Sequence, residues 1–324
     1  MKKNFIGVFV SLALIALLVV MMRDKLPSIL QTLKNGNHAL IFAALLIFLS
    51  TVWVMALRLK LIFNTKAIPM AVREAASLTF VGYFFNNVLP TSVGGDLVKA
   101  MCASRLSGEP VKSLTVIMMD RIFGLFMFIL IPCASLIFLR DKIDPRVPVI
   151  VYSFLFFSTM CFFLLFNRSI ARRFHFIERT LNRVGLGAKV RMIYDELHDF
   201  KNHKKIVVIA MLLSVLGQVL AIVVLYLLAV ALGADPGTWA YFFLLVPVVH
   251  LISMVPITMG GLGLREGGYV VFLKNFIGSE KALGMGILSF GFLLFLSVIG
   301  GFIYLFRREY HIQLSKPDAT KTSE

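Results

Sequence analysis

Several apolar runs of about 18 residues or longer constrain this 324-residue chain more than any other feature. Runs of that length are not needed in a soluble core, but they match the number of helical residues that cross the hydrocarbon layer of a bilayer. Hydrophobic residues make up 59% of the sequence, well above the share in soluble domains. The chain is therefore predicted to be an all-α polytopic integral membrane protein.

The formal net charge of +16 comes from lysines and arginines that gather at the ends of the apolar runs. There they set topology and contact anionic lipid head groups, so nucleic-acid binding is not expected. The most basic segment, residues 167–205, is predicted to be cytoplasmic. Its apolar residues recur at roughly helical spacing, which leaves two alternatives: amphipathic helices on the inner membrane surface, or a solvated linker that only fixes topology.

Six full transmembrane helices are predicted, over residues 5–22, 39–57, 113–139, 147–166, 206–232 and 282–306. The second is closed by a basic cluster that is predicted to lie in the cytoplasm and consists of Arg58, Lys60, Lys66 and Arg73. Both termini are predicted to be cytoplasmic, in the inner membrane of a bacterial or archaeal cell. Residues 1–308 would form the transmembrane domain, and residues 309–324 a loosely ordered polar tail.

Two further segments, residues 75–96 and 238–277, are predicted to leave the membrane on the side where they entered it. Basic residues flank the first segment at both ends, whereas the second lies between spans that put both of its ends outside. The prediction is therefore two opposed re-entrant helical hairpins in an inverted repeat. Non-helical backbone at such a bend is tolerated only where protein or a water-filled cavity shields it.

Both predicted bends carry the pattern apolar-Pro-x-Ser/Thr-x-Gly-Gly, with prolines at 90 and 256. The glycine pairs allow positive φ and close approach of a ligand or backbone, or they are simply tight turns. A helix is predicted after each pair, over residues 97–106 with Asp96 as its N-cap, and over residues 264–276. Helix N-termini attract anions such as a lipid phosphate.

Charged residues accompany the bends, with Lys99 and Arg265 in the first turns of the two following helices. Asp120 and Arg121 lie inside a predicted span, where ionisable groups are costly and by default face an interior cavity. Neighbouring residues do not share a helix face, so these two are expected to have different partners. Arg121 is the preferred phosphate contact, with Lys99 and Arg265 as alternatives, and Asp120 is predicted to hold a cation, either Lys99 or Arg265. The alternative is a structural ion pair, and Glu266 faces the same two interpretations.

The complete predicted head-group site is Asn86, Asn87, Pro90, Ser92, Gly94, Gly95, Asp96, Lys99, Asp120, Arg121, Pro256, Thr258, Gly260, Gly261, Gly263, Arg265 and Glu266. His250 is expected to be a satisfied interior histidine rather than a proton relay. Cys102, Cys133 and Cys161 are expected to be buried thiols. No catalytic residue, cofactor or metal is predicted, because the nucleotide-loop, metal-binding and nucleophile-elbow patterns are missing from the sequence.

The residues Asn87-x-Leu-Pro-x-Ser-Val-Gly-Gly-Asp, then Lys99, and later Val-Pro-Ile-Thr-x-Gly-Gly-Leu-Gly-Leu-Arg-Glu-Gly, resemble a known family. It is the flippase-like transmembrane domain family of lysylphosphatidylglycerol synthases, also called UPF0104. The resemblance implies a protein that moves a lipid with a charged head group between leaflets. Members are linked to glycolipid, hopanoid and polyprenyl-sugar pathways, so the resemblance does not fix the lipid.

The sequence departs from the family pattern at Lys99, where arginine is common, and at Leu262, where some members have tryptophan. It also lacks the C-terminal soluble aminoacyl-transfer domain of the full-length synthases, so synthesis of lysylphosphatidylglycerol is not expected.

The predicted function is a lipid translocase, either a flippase or a scramblase, for a phospholipid or a polyprenyl-phosphate-linked lipid. Its partners would be membrane lipids with anionic or phosphate-bearing head groups, with a second copy of the chain or a biosynthetic enzyme as further possible partners. One alternative is an integral-membrane transferase that uses Asp120 or Glu266 as a base. Another is a non-transporting accessory subunit in glycolipid or aminoacyl-lipid synthesis.

Overall fold

The computed structural model describes residues 26–89, 93–139, 192, 195–255, 258 and 261–310, and the short pieces 148–149, 151–153, 155–157 and 159–160. The helices are α1 (Leu26–Lys34), α2 (His38–Asn64), α3 (Val72–Val88), α4 (Gly94–Ser107), α5 (Pro110–Leu139), α6 (Lys204–Ala231), α7 (Trp239–Ser253), α8 (Leu264–Ile277) and α9 (Ser279–Phe306). The described part of the chain contains no strand, in agreement with the predicted all-α class.

Local sequence explains where several of these helices begin and end. The side chain of Asn37 accepts hydrogen bonds from the backbone N–H groups of Ala39 and Leu40, which caps the start of α2. Helix α5 begins at Pro110, whose missing N–H is harmless in the first turn. Helix α4 ends at Ser107, and the residue that follows, Gly108, has a φ of 70° and can adopt this left-handed conformation without a Cβ clash.

The helix order long, short, short, long occurs twice, first in α2 to α5 and then in α6 to α9. The interval from His38 to Lys204, where the two halves begin, equals the interval from Gly94 to Gly260 in the repeated motif. Helices α2 and α6 pack against each other and run antiparallel, since Asn37 before α2 donates to the carbonyl of Ala231 at the end of α6, 2.9 Å away. The second half is thus inverted relative to the first.

The packing of helices between the halves follows the same repeat. Helix α9 of the second half packs on α3 of the first, and the equivalent helix of the first half, α5, packs on α7 of the second. The α9 contact is very close, because a Cβ added at Gly300 would lie under 3.0 Å from the carbonyl oxygen of Phe80. Each half therefore holds the hairpin of the other half against its own last helix.

The short helices of each half form an antiparallel hairpin. In the first, Gly95 near the start of α4 lies beside Asn86 near the end of α3. Glu74 near the start of α3 and Leu106 near the end of α4 line one cavity of about 370 Å³. In the second, the rings of Tyr241 and Phe276 stack 3.9 Å apart where α7 begins and α8 ends. Each hairpin thus begins and ends at one end of the bundle, and the antiparallel α2 and α6 place these ends opposite each other. That each hairpin enters the membrane and leaves it on the same side stays a prediction.

Five helical segments are long and apolar enough to cross a membrane: His38–Asn64, Pro110–Leu139, Asp195–Ala231, Pro236–Ser253 and Ser279–Phe306. Four of them contain or largely overlap predicted spans. The predicted span 5–22 lies outside the described residues, and half of the predicted span 147–166 does so as well. The fifth, Pro236–Ser253, lies in the second hairpin and has 18 residues. The count of six spans therefore stays a prediction.

Large apolar side chains cover the outside of the bundle, as expected where lipid replaces water. Among them are Ile137, Phe302 and Phe306, each more than half exposed. Buried Cys102 and Cys133 are free thiols, as predicted, while Cys161 lies outside the described residues.

Most of the basic segment 167–205 lies outside the described residues, as does the tail from residue 311 onward. Near the end of the segment, Glu196 and Asp199 lie 2.8 and 3.0 Å from the buried ammonium of Lys66. Lys66, a member of the basic cluster predicted to be cytoplasmic, thus links the end of α2 to the residues before α6. Tyr310, assigned to the loose tail, is fully buried.

Candidate functional site

Five charged side chains converge where the first hairpin bends, and together they form what we name the first-bend cluster: Arg58, Asp96, Lys99, Asp120 and Arg121. They come from α2, α4 and α5. The exposed fraction of their side chains runs from 5% for Arg58 to 26% for Arg121. Charges so deep in an apolar bundle are stable only when paired and hydrogen-bonded.

Asp120 on α5 is held by Arg58 on α2. The Nε of Arg58 donates to Oδ1 of Asp120 at 2.7 Å, and its Nη1 donates to the hydroxyl of Ser214 on α6 at 2.9 Å. Arg58 thus links α2 and α5 of the first half to α6 of the second half. The predicted cytoplasmic location of Arg58 as a topology signal does not describe its environment, because its side chain is buried inside the bundle.

Asp96 lies inside the first turn of α4, because this helix begins at Gly94 with Val93 as its N-cap. The prediction that Asp96 caps a helix beginning at residue 97 is therefore wrong. One oxygen of Asp96 pairs with Arg121 on α5, and the other lies 3.5 Å from Nζ of Lys99. Asp120 and Arg121 have different partners, as predicted from their adjacent positions.

Lys99 occupies the middle of the cluster, between the two carboxylates. Its Nζ lies 3.5 Å from Oδ1 of Asp96 and 4.0 Å from Oδ2 of Asp120. Of the two cations predicted for Asp120, Lys99 is thus nearby, whereas Arg265 pairs with Glu266 instead. The cluster contains three cations and two carboxylates and so has one excess positive charge.

A cavity of about 130 Å³ adjoins the cluster and is lined by Met55, Thr79, Gly82, Tyr83, Asn86, Lys99 and Asp120. Its walls come from α2, α3, α4 and α5, so the hairpin itself supplies much of the surface. The carbonyl oxygen of the Asn86 side chain accepts from the backbone N–H of Gly95 at 2.9 Å, which fixes the bend beside the cavity. A Cβ at Gly95 would lie under 3.0 Å from the Asn86 side chain, so the close approach needs glycine.

The second bend is built differently, although its sequence pattern is the same. Gly261 and Gly263 have φ values of 77° and 80°, which require glycine in practice. The carboxylate of Glu266 accepts from the backbone N–H of Gly263 at 2.8 Å, which caps the start of α8, and from the guanidinium of Arg265 at 2.8 and 3.1 Å. Both side chains are about one-tenth exposed and form a neutral pair.

His250 lies near the second bend, where its Nε2 is 2.9 Å from the hydroxyl of Tyr269. This is the satisfied interior histidine that the sequence predicts. Phe128 packs edge-on against the His250 ring, and it follows Asp120 by two helical turns, about 12 Å along α5. Helix α5 therefore connects the surroundings of the two bends.

The structure groups part of the predicted site around the two bends, and another part lies outside the described residues. Around the first bend it collects Asn86, Gly94, Gly95, Asp96, Lys99, Asp120 and Arg121, and around the second Gly261, Gly263, Arg265 and Glu266. Pro90, Ser92, Pro256 and Gly260 lie outside the described residues. Within the described part, Nδ2 of Asn87 and Oγ1 of Thr258 are buried without a hydrogen-bond partner.

Sequence reasoning missed Arg58, Ser214 and Tyr83. A signal for Arg58 existed: an acid inside a span needs a cation at similar depth, and Arg58 directly follows a predicted span. Ser214 and Tyr83 gave no signal, since hydroxyl groups are common in apolar helices.

Residues 4–301 match the model of the family described as the lysylphosphatidylglycerol synthase TM region. The chain belongs to this family. Membership, together with the apolar helices, makes it a multi-pass membrane protein.

Relatives in the family are archaeal UPF0104 membrane proteins. One from Methanothermobacter thermautotrophicus is 26% identical over 72% of this chain and 73% of its own length, and a second from the same organism is 25% identical over 89% and 90%. A third, from Archaeoglobus fulgidus, is 21% identical over 84% and 87%. No solved structure matches the chain.

Proposed function

We propose that this family member is a lipid translocase that moves a phospholipid or a polyprenyl-phosphate-linked lipid between membrane leaflets. The head group would bind at the first bend while the acyl or prenyl chains stay in the bilayer. The observation that carries this proposal is a buried cluster with one excess positive charge beside a cavity of about 130 Å³, inside an apolar bundle. Such a site favours an anionic head group that a bare hydrocarbon layer excludes.

The inverted helix order supports the same function. Two hairpins that begin at opposite ends of the bundle can open in turn to the two membrane faces, as in transporters built from inverted repeats.

The transferase alternative receives less support from the geometry. Its two candidate bases are both engaged, Asp120 by Arg58 at 2.7 Å and Glu266 by Arg265 at 2.8 Å. Each carboxylate thus already has a structural role as the partner of a buried cation. Translocation needs no proton acceptor.

Reconstitution into liposomes with head-group-labelled phosphatidylglycerol tests the proposal. A membrane-impermeant quencher removes only the outer-leaflet label in protein-free vesicles, and we expect the protein to expose the inner-leaflet label as well. Arg121→Gln should slow this exposure about 10-fold or more, because it removes a cation of the cluster. Lys274→Gln, which removes an exposed cation on α8, should leave the rate unchanged.

Two results of this experiment would speak against translocation. One is label loss no faster than in protein-free vesicles. The other is equal rates for Arg121→Gln and the parent protein, both verified as folded by size-exclusion chromatography. Chemical turnover of the labelled head group in the same vesicles would favour the transferase.

The orientation of the hairpins gives a separate prediction. Glu109 lies beside the ends of the first hairpin, and Gly237 lies beside the ends of the second. Both positions are exposed, they lie at opposite ends of the bundle, and each can be changed to a single cysteine. In intact cells a membrane-impermeant thiol reagent should label Gly237→Cys but not Glu109→Cys, with both labelled after lysis. Labelling of both, or of Glu109→Cys alone, would refute the predicted topology.

A further inference from the structure

Lys99 has the weakest internal partners of the three cations in the first-bend cluster. Strong bonds between an ammonium and a carboxylate are about 2.7 to 2.9 Å long. The Nζ of Lys99 instead lies 3.5 Å from Asp96 and 4.0 Å from Asp120. Because an ammonium has three N–H donors, this cation retains capacity for another acceptor.

The two carboxylates stay at these distances because each is bound more tightly to an arginine. Arg58 donates to Asp120 at 2.7 Å, and Arg121 pairs closely with Asp96. Each carboxylate is thus paired mainly with a guanidinium, and the excess positive charge of the cluster is concentrated at Lys99. The arginines prevent the carboxylates from neutralising the lysine.

The aliphatic part of the Lys99 side chain packs on α3, and the side chain lines the cavity. Its side chain crosses α3 at Gly82, where a Cβ would lie under 3.0 Å from Cδ of Lys99. The lysine lines the cavity of about 130 Å³ together with Tyr83 and Asn86, whose hydroxyl and amide groups can donate hydrogen bonds. The space is sufficient for several waters or one phosphate-sized group.

We infer that Lys99 is the anion receptor of this cavity and takes the phosphate of a phosphate ester, while Arg58 and Arg121 are positioning residues that hold Asp120 and Asp96 away from it. This inference deepens the proposed function and rests on it for the identity of the ligand as a lipid head group. The sequence-based prediction preferred Arg121 as the phosphate contact, with Lys99 and Arg265 as alternatives, whereas here Lys99 alone is the contact and Arg121 is a positioning residue.

Binding to the purified protein in an uncharged detergent tests the receptor. Calorimetric titration with inorganic phosphate and with glycerol phosphate should give an affinity that falls about 10- to 100-fold in Lys99→Gln, because one charge-assisted hydrogen bond is lost. Lys99→Arg should keep most of the affinity, and Lys274→Gln all of it. Circular dichroism and size-exclusion profiles establish that each variant is folded.

A double variant separates positioning from direct contact at Arg121. In Arg121→Gln, Asp96 is released and can pair with Lys99, so phosphate binding should weaken. In Arg121→Gln/Asp96→Asn the competing carboxylate is gone, and binding should recover to within a few-fold of the parent. If the double variant binds as weakly as the single one, Arg121 contacts the phosphate and its positioning role is overturned.

The site and the proposed function fail in distinguishable ways. Unchanged phosphate affinity in folded Lys99→Gln overturns the site, even if labelled phosphatidylglycerol still crosses vesicle membranes. Phosphate binding that depends on Lys99, without movement of phosphatidylglycerol in the vesicle assay, leaves the site standing for a free phosphate and overturns translocation. Loss of both activities in Lys99→Gln supports the lipid head group as the ligand.

Discussion

Arg58→Met is expected to lower the free energy of unfolding by about 3 to 5 kcal/mol, the cost of breaking one buried ion pair from one side. Asp120 would remain buried with Lys99 as its nearest cation among the described residues, 4.0 Å away, and the hydroxyl of Ser214 would lose its donor. The midpoint of thermal unfolding in detergent, followed by intrinsic tryptophan fluorescence, measures the change.

Two variants control for this expectation. Lys60→Met removes a cation two residues along α2 that is only partly buried, and it should change the midpoint little. Arg58→Met/Asp120→Leu removes both charges and should recover most of the lost stability, because no unpaired charge remains. A single variant as stable as the parent would show that Arg58 does not support Asp120 in solution.

Gly300→Ala is expected to separate α9 from α3 and to destabilise the protein by about 1 to 3 kcal/mol or more. The added methyl group would lie under 3.0 Å from both the carbonyl oxygen and the carbonyl carbon of Phe80. Backbone atoms cannot rotate away as a flexible side chain can, so the whole helix must move. Since α3 carries Asn86 and a wall of the cavity, we also expect slower lipid movement in liposomes.

Gly291→Ala is the matched control, because it makes the same change on the same helix. A Cβ at Gly291 would meet no atom within 4 Å among the described residues, so stability and lipid movement should stay at the parent level. If Gly300→Ala behaves like Gly291→Ala in both measurements, the close packing of α9 on α3 is not what holds the first hairpin.

Much of the fold was predictable because the sequence contains it twice. The repeated Pro-to-Gly-Gly pattern marked both bends, and the helix predicted to begin at Leu264 begins there. The same pattern could not reveal that its copies act differently. In one, Gly95 allows close approach to Asn86, whereas in the other Gly261 and Gly263 have positive φ. The sequence pattern predicts where glycine occurs, but it does not predict whether the fold uses its missing side chain or its access to positive φ.

The charges were harder to place. Arg58 follows an apolar run, and the positive-inside rule places such residues at the membrane surface. Helix α2 instead continues to Asn64, which keeps Arg58 inside the bundle, six residues before the helix ends. The pairing of Arg265 with its neighbour Glu266 was equally hidden, because adjacent residues on a helix rarely face each other and only the capping role of Glu266 turns it back.

The single excess positive charge of the first-bend cluster has an electrical consequence. Moving one elementary charge across the full membrane voltage involves about 2.3 kcal/mol per 100 mV. A bound phosphodiester of charge −1 would cancel the excess, so a loaded cluster could switch its access from one membrane face to the other without electrical work. The empty cluster would be driven by the voltage toward the negative face, and lipid movement would then respond to voltage through the return of the unloaded protein.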